Sequence, residues 1–336
     1  MALRMMQVGL GGFGKRWMRV VLDHPDWEYV GIATRNEKVR HECGDACGLP
    51  AVARLSSLPA LVGSGIAADA VLITTPHFRH RDDVVAAFNH GLNVLVEKPL
   101  AGKLDDCLAI SRAAGRAGST CMVGENYRFG DGAIKMREIV GSGTIGTVEF
   151  ISLQYFAGHT FPDGDWRNEY EYPVLIENST HQFDLIRYVT GKEPLTVFCD
   201  AFGSSRVPHW PKVNVSAHFE MEDGLRAHYS ASWAYSEFRT PWEGLWRVHG
   251  SDGSIFWREN EIVVETEGRT KTYNSKSQSS DYTLAATLEE FTAAIRGGRS
   301  PSVDIEDNMQ TIGMVFGAIR SSQTGARVAL KEILGG

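Results

Sequence analysis

Arg4 to Leu10 reads as a β-strand that runs straight into Gly9-Leu-Gly-Gly-Phe-Gly14, and Lys15 to Leu22 then has helical character up to the Asp23-His24-Pro25 breaker. A G-x-G-x-x-G pattern alone is a weak signal, because glycine-rich turns are common. Between a strand and a helix it has a mechanism. Gly9 permits the tight turn, Gly11 lets the backbone approach a pyrophosphate, and Gly14 allows close helix–strand packing. Gly12 and Phe13 complete the loop, and the helix N-terminus offers N–H donors and a positive dipole end to phosphates. The alternative is a plain turn; the strand–turn–helix context favours the phosphate site.

The alternation continues. Tyr29 to Ala33 is a second strand, followed by Thr34-Arg35-Asn36. An NAD site usually places Asp or Glu here for the ribose 2′-hydroxyl. A hydroxyl and a guanidinium suit a 2′-phosphate instead, so Thr34 and Arg35 point to NADP over NAD; the alternative has Arg35 stacked on adenine or in solvent. Asp69 to Thr75 is a buried strand ended by Pro76, and an amphipathic helix follows through Asn89. Thr75 and Pro76 fall at the cofactor edge, and His80, at the helix start, is read as a further contact or as a capping or packing residue. Asn93 to Val96 is apolar on both faces, which suits a parallel strand covered by helices. It stops at Glu97-Lys98-Pro99, at the carboxyl edge where open α/β sheets bind ligands. Leu104 to Ala117 is helical by period, and Thr120 to Gly124 is a last short strand. Strands alternating with helices of 10–15 residues predict a doubly wound parallel sheet.

Past Arg128 the period changes. Val213 to Met221 and Leu225 to Trp233 alternate apolar and polar residues around Glu222-Asp-Gly224, a hairpin signal. Thr147 to Phe156, Leu195 to Phe202, Leu245 to His249 and Glu261 to Glu265 are further strands. Helices are expected near 133–140, 284–295 and 308–321, and Lys271 to Asp281 reads as a mobile loop. The expected fold is α/β: a Rossmann doubly wound domain over residues 1–125, then an α+β domain over 126–336 with a large, mostly antiparallel open sheet. The open face makes a homodimer or homotetramer plausible.

Within Val174 to Tyr188, Glu177, His181 and Asp184 recur at i, i+4 and i+7, on one face if the stretch is a single helix. Glu177 would then orient His181 as a proton carrier near neutral pH. Two alternatives stand beside this: a satisfied core histidine at a helix start, and a share in a metal site, for which no further His or Cys ligands lie nearby. Tyr127, Arg128, Trp166, Arg167 and Asn178 are the aromatic and polar groups suited to a polyhydroxylated ring, or equally to packing and ion pairs.

Composition narrows the classes. A formal charge of −7 over 336 residues argues against a nucleic-acid surface. No apolar run reaches the ~20 residues of a membrane span, and the start lacks the pattern of a signal peptide. Five scattered cysteines, Cys43, Cys47, Cys107, Cys121 and Cys199, fit reduced thiols in the cytoplasm. Cys43 and Cys47 have no second pair at metal-site spacing, so no metal is expected.

Together the GLGGFG loop, Thr74-Thr-Pro76, the VLVEKPLA segment and the ENSTHQFD stretch resemble the glucose–fructose oxidoreductase / inositol dehydrogenase / MocA family over nearly the whole chain. The resemblance implies NAD(P)-dependent hydride transfer to or from a secondary alcohol carbon of a sugar, polyol or inositol. It implies Lys98 and His181 as catalytic residues, with an acidic partner four residues before the histidine; here that residue is Glu177 where many members have Asp. It implies Glu97 and Lys98 at the cofactor, and a cis bond before Pro99. Two other functions are carried: a nucleotide-binding regulator without catalysis, and a glycoside hydrolase that uses NAD transiently. Net cofactor reduction with a sugar separates the dehydrogenase from both.

Overall fold

The computed structural model describes residues 1–275 and 280–335. Strands in chain order are β1 (Leu3–Val8), β2 (Trp27–Ala33), β3 (Arg54–Leu55), β4 (Ala70–Ile73), β5 (Asn93–Val96), β6 (Cys121–Val123), β7 (Val148–Phe156), β8 (Pro194–Phe202), β9 (Asn214–Met221), β10 (Arg226–Ser232), β11 (Leu245–Gly250), β12 (Gly253–Arg258), β13 (Glu261–Thr266), β14 (Arg269–Asn274) and β15 (Val328–Ala329). Helices are α1 (Gly12–Asp23), α2 (Glu37–Ala46), α3 (Leu58–Val62), α4 (His80–Phe88), α5 (Leu104–Ala117), α6 (Asp131–Gly141), α7 (Pro173–Glu177), α8 (Ser179–Thr190), α9 (Ser280–Gly297), α10 (Ile305–Thr324) and α11 (Leu330–Leu334).

The chain forms two compact units, residues 1–126 with 280–309, and residues 127–279 with 310–336. A single cut at residue 125 therefore misplaces 280–309, which returns to the first unit. The physical reason is apolar: Leu284, Leu288 and Phe291 are fully buried, Phe291 stacks on Trp27 at 6.0 Å, and the Trp27 indole donates to Thr292 Oγ1 at 2.7 Å. The Val123 N–H also donates to the Val303 carbonyl at 2.9 Å.

In the first unit six strands run in the order β3-β2-β1-β4-β5-β6, all parallel. Val71, Leu72, Ile73, Val94, Leu95 and Val96 are wholly buried, as a sheet covered on both faces requires. Register aligns Ala33, Val8, Ile73, Val96 and Val123 in one row. The next residues, Thr34, Gly9, Thr74, Glu97 and Gly124, each donate one more backbone bond to the neighbouring strand. They form the carboxyl edge, and strand order reverses at β1, the switch point where such sheets bind ligands.

The second unit is a nine-stranded sheet, β14-β13-β12-β11-β7-β10-β9-β8-β15. It is antiparallel except for the β7–β10 pair. One face is core, with Tyr155, Phe219, Tyr229, Trp246 and Trp257 buried. The other leaves Phe150, Phe198 and Phe202 in part exposed. The β9–β10 hairpin closes through Glu222-Asp223-Gly224, with Asp223 and Gly224 at positive φ. Residues 271–274, expected in a mobile loop, belong to β14, whose outward-facing polar side chains hid the strand period; residues 276–279 of that loop lie outside the described residues.

Candidate functional site

In the first unit the glycine loop leaves β1 under close constraint. Gly9 has φ +89, where L side chains rarely sit, and a Cβ there would lie 2.5 Å from the Thr74 carbonyl carbon. A Cβ at Gly14 would lie 2.2 Å from the Gly9 carbonyl oxygen. Both are excluded by backbone rather than by adaptable side chains. Gly11 and Gly12 instead face open space, with nothing within 4 Å of a built Cβ. The first turn of α1 has no capping side chain and no acidic residue, so the N–H groups of Gly12, Phe13 and Gly14 remain available to an anion. Buried Gln7 props the loop from behind, its amide donating to the Gly14 carbonyl at 2.9 Å and its carbonyl accepting from the Tyr29 hydroxyl. These features fit the pyrophosphate of a dinucleotide.

At the end of β2 Arg35 is exposed, and Asn36 caps α2 by accepting from the Val39 N–H at 3.1 Å. No carboxylate occupies residues 34–36. At the end of β4 the Thr75 hydroxyl donates to Asp83 Oδ2 at 2.8 Å, and Pro76 leads into α4. His80, read as a cofactor contact or as a capping or packing residue, packs inside the first unit. Its ring is 1% exposed; Nε2 lies 2.7 Å from the Thr75 carbonyl, and Nδ1 lies 3.1 and 3.2 Å from those of Pro99 and Leu100. Burial drives its pKa down to about 4, and the imidazole serves as an internal tie.

The Lys98–Pro99 bond is cis, as the resemblance implies. Glu97 is buried, its Oε1 accepting from the Trp17 indole at 2.6 Å and its Oε2 from the Lys98 N–H at 3.0 Å. Burial raises its pKa to about 7; Lys98 and Trp17 pull it down, and Glu125 pushes it up. The raised folded value means that Glu97 favours the fold below the ordinary carboxylate pKa, and that this contribution is lost as pH rises through about 7. Glu97→Gln should therefore flatten the fall in urea-unfolding stability between pH 4.5 and pH 7.5. A slope equal to wild type would remove Glu97 as its source.

In the second unit the expected continuous helix through Glu177 and His181 is broken. α7 ends at Glu177, Asn178 forms the joint with φ −110, and α8 begins at Ser179. The i, i+4 phase between Glu177 and His181 is thereby interrupted, and the Glu177 carboxylate accepts from the Tyr170 hydroxyl at 2.8 Å. His181 is 4% exposed and stacks on Tyr127, with ring centroids 3.9 Å apart and planes at 13°. These two sequence-derived residues are thus brought together. Arg128 is instead buried in an ion pair, Nε to Asp184 Oδ2 at 2.6 Å. Of its two readings, substrate contact or ion pair, the ion pair is the one its Nε makes.

Asn178 is also engaged, its Oδ1 accepting from the Trp233 indole at 2.9 Å. Arg167 lies 4.4 Å over the Trp166 ring and pairs with Asp165 at 2.9 Å, so Trp166 and Arg167 form a cation–aromatic unit. Sequence reasoning missed His159. Its ring centre lies 4.7 Å from that of Trp233, its Nε2 lies 3.3 Å from the Tyr155 hydroxyl, and burial, then Arg239, lowers its pKa to about 4. It follows β7 in an aperiodic segment, so no pattern marked it. Among the described residues no group of three or more His, Cys, Asp or Glu is placed to hold a metal ion, and no helix is long and apolar enough to cross a membrane.

Comparison with known proteins agrees with this architecture. Residues 3–125 match the family model "Oxidoreductase family, NAD-binding Rossmann fold", and residues 133–256 match "GFO/IDH/MocA C-terminal domain". The chain is 26% identical to 1,5-anhydro-D-fructose reductase of Ensifer adhaerens, over 76% of this chain and 78% of that protein. It is 26% identical to D-xylose 1-dehydrogenase (NADP(+)) 2 of Haloferax volcanii, over 96% and 98%. A solved oxidoreductase from Agrobacterium radiobacter, in complex with NAD+, L-tartaric acid and magnesium, superposes with a TM-score of 0.91 at 21% identity, over 99% of this chain and all of that one.

Proposed function

We propose, for a chain that belongs to the GFO/IDH/MocA family of NAD(P)-dependent oxidoreductases, reversible hydride transfer at a secondary alcohol carbon of a cyclic sugar or polyol. The observation that carries this is the alignment of Gly9, Thr74 and Glu97 at the ends of three adjacent parallel strands, with Lys98 next in the chain. The nicotinamide, when bound, supplies the site that gives or takes hydride. In this reading the Gly11–Gly14 backbone holds the pyrophosphate and Thr75-Pro76 flanks the cofactor. The Lys98 ammonium stabilises charge growing on the substrate oxygen. His181 takes the hydroxyl proton in oxidation and returns it in reduction, with Tyr127 fixing the plane of its ring and Glu177 as the carboxylate four residues earlier in the chain. Trp166, Arg167 and Asn178 are assigned to the substrate, because aromatic faces and fixed donors suit a polyhydroxylated ring. The names of the two curated relatives support a sugar.

NADP is assigned over NAD on Arg35 and on the lack of a carboxylate at residues 34–36. A charge-assisted hydrogen bond to a 2′-phosphate contributes roughly 1.5–3 kcal/mol, so Arg35→Ala should raise the NADP+ Kd about tenfold or more and leave that of NAD+ nearly unchanged. Equal weakening of both would refute the assignment. The functional reading itself is tested by a cofactor titration followed by a screen of sugars and inositols for reduction of NADP+ or NAD+. Tight cofactor binding without net redox change on any of them would favour a non-redox role.

A further inference from the structure

Trp17 stands three residues beyond Gly14, on the buried face of α1. Its ring is fully buried, and its one polar atom is spent on Glu97, 80 residues away, at 2.6 Å. Glu97 holds the Lys98 backbone with its other oxygen. Gly124 lies on the far side: a Cβ there would lie 3.3 Å from Glu97 Oε1 and 3.4 Å from the Val96 carbonyl oxygen, so a side chain at 124 would press on the carboxylate. An unbroken line of contacts thus runs from the helix under the glycine loop to the lysine at the end of β5.

We propose that Trp17 is a positioning residue: by fixing the Glu97 carboxylate it sets the backbone from which Lys98 projects, and it ties that setting to the helix beneath the phosphate loop. This rests on the reading of Lys98 as catalytic. An ionised carboxylate accepts from both N–H donors at full strength. Protonation turns one oxygen into a weak acceptor, which loosens the clamp. The charged groups bearing on Glu97 are Lys98, which favours its ionised form, and Glu125, which opposes it. The indole is the remaining lever, because a hydrogen bond to a carboxylate lowers its pKa.

The test uses Trp17→Phe, which keeps an apolar ring and deletes the donor. With ¹³C-labelled glutamate, the Glu97 carboxyl should titrate about one pH unit higher than in wild type, and the acid limb of the kcat profile should move the same way. The cofactor Kd should change less than about twofold, since the loop's own N–H groups are untouched. Trp17→His, which restores an N–H at similar reach, should recover part of both shifts. Glu97→Gln, which keeps the shape, covers the case in which Trp17→Phe does not fold: it should abolish the limb near pH 7. An unmoved carboxyl midpoint in Trp17→Phe overturns the proposal, and so does a moved midpoint with an unmoved kcat profile. The reading of Lys98 fails separately: wild-type turnover in Lys98→Met would remove it while leaving the carboxyl titration as a measured fact.

Discussion

Lys98→Met is expected to lower kcat by about a hundredfold or more on a confirmed substrate, with the cofactor Kd little changed. Methionine keeps much of the length and apolar stem of lysine but removes the charge. The glycine loop, Arg35 and the Gln7 prop that would hold the cofactor lie on β1, β2 and the turns after them, untouched by the change. Loss of turnover without loss of binding would show that the ammonium acts on the reacting atoms. His181→Ala should cost a similar factor through proton transfer, and it should flatten the limb of the pH–rate profile that the imidazole controls. Wild-type turnover in either variant would exclude that residue from the chemistry. Measuring kcat and KM separately matters here, since a change confined to KM would mean binding alone.

The largest expected effect on stability comes from a residue that looks like substrate machinery in the sequence. Arg128 and Asp184 are 6% and 1% exposed as side chains and meet at 2.6 Å; Thr311 Oγ1 lies 3.5 Å from the other Asp184 oxygen. Removing one member takes the opposite charge away from a buried ion, so Arg128→Leu or Asp184→Asn should lower unfolding stability by roughly 3–5 kcal/mol. Replacing both members by apolar residues should cost much less than the sum of the two single changes. Urea denaturation of the two single variants and the double variant checks this. A loss under about 1 kcal/mol in both single variants would mean that the pair is relaxed by solvent and is not the source of stability claimed for it.

Much of the first unit was legible because its signals are local. Strand, glycine turn and helix follow one another within the first 23 residues, and Asn93–Val96 reads as a doubly covered strand because burial on both faces removes polar residues from it. The β9–β10 hairpin was legible for the same kind of reason, period-two alternation around a tight turn. Other features depended on partners remote in the chain. Trp27 meets Phe291 and Thr292 across some 265 residues, and that contact draws 280–309 back to the first unit. Trp17 and Glu97 each look ordinary where they stand. Nothing near His80 in the sequence marks the three carbonyls that pack against its ring.

The break at Asn178 is the instructive case. Residues 177–184 carry a spacing that promises a shared helical face, yet the chain divides the stretch between two helices. Asn178 is buried with its side chain bonded to Trp233 just past the end of β10, a partner that no window of sequence contains. The amino-acid order by itself determined the two kinds of sheet, the glycine turn after β1 and the lysine at a strand end. Each follows from side-chain period and backbone freedom over a few consecutive residues. Tertiary structure alone decided which polar groups are already satisfied inside the protein. Hydrogen-bond and ion-pair partners are chosen by proximity in space, and a buried polar atom takes whichever partner the packing brings to it.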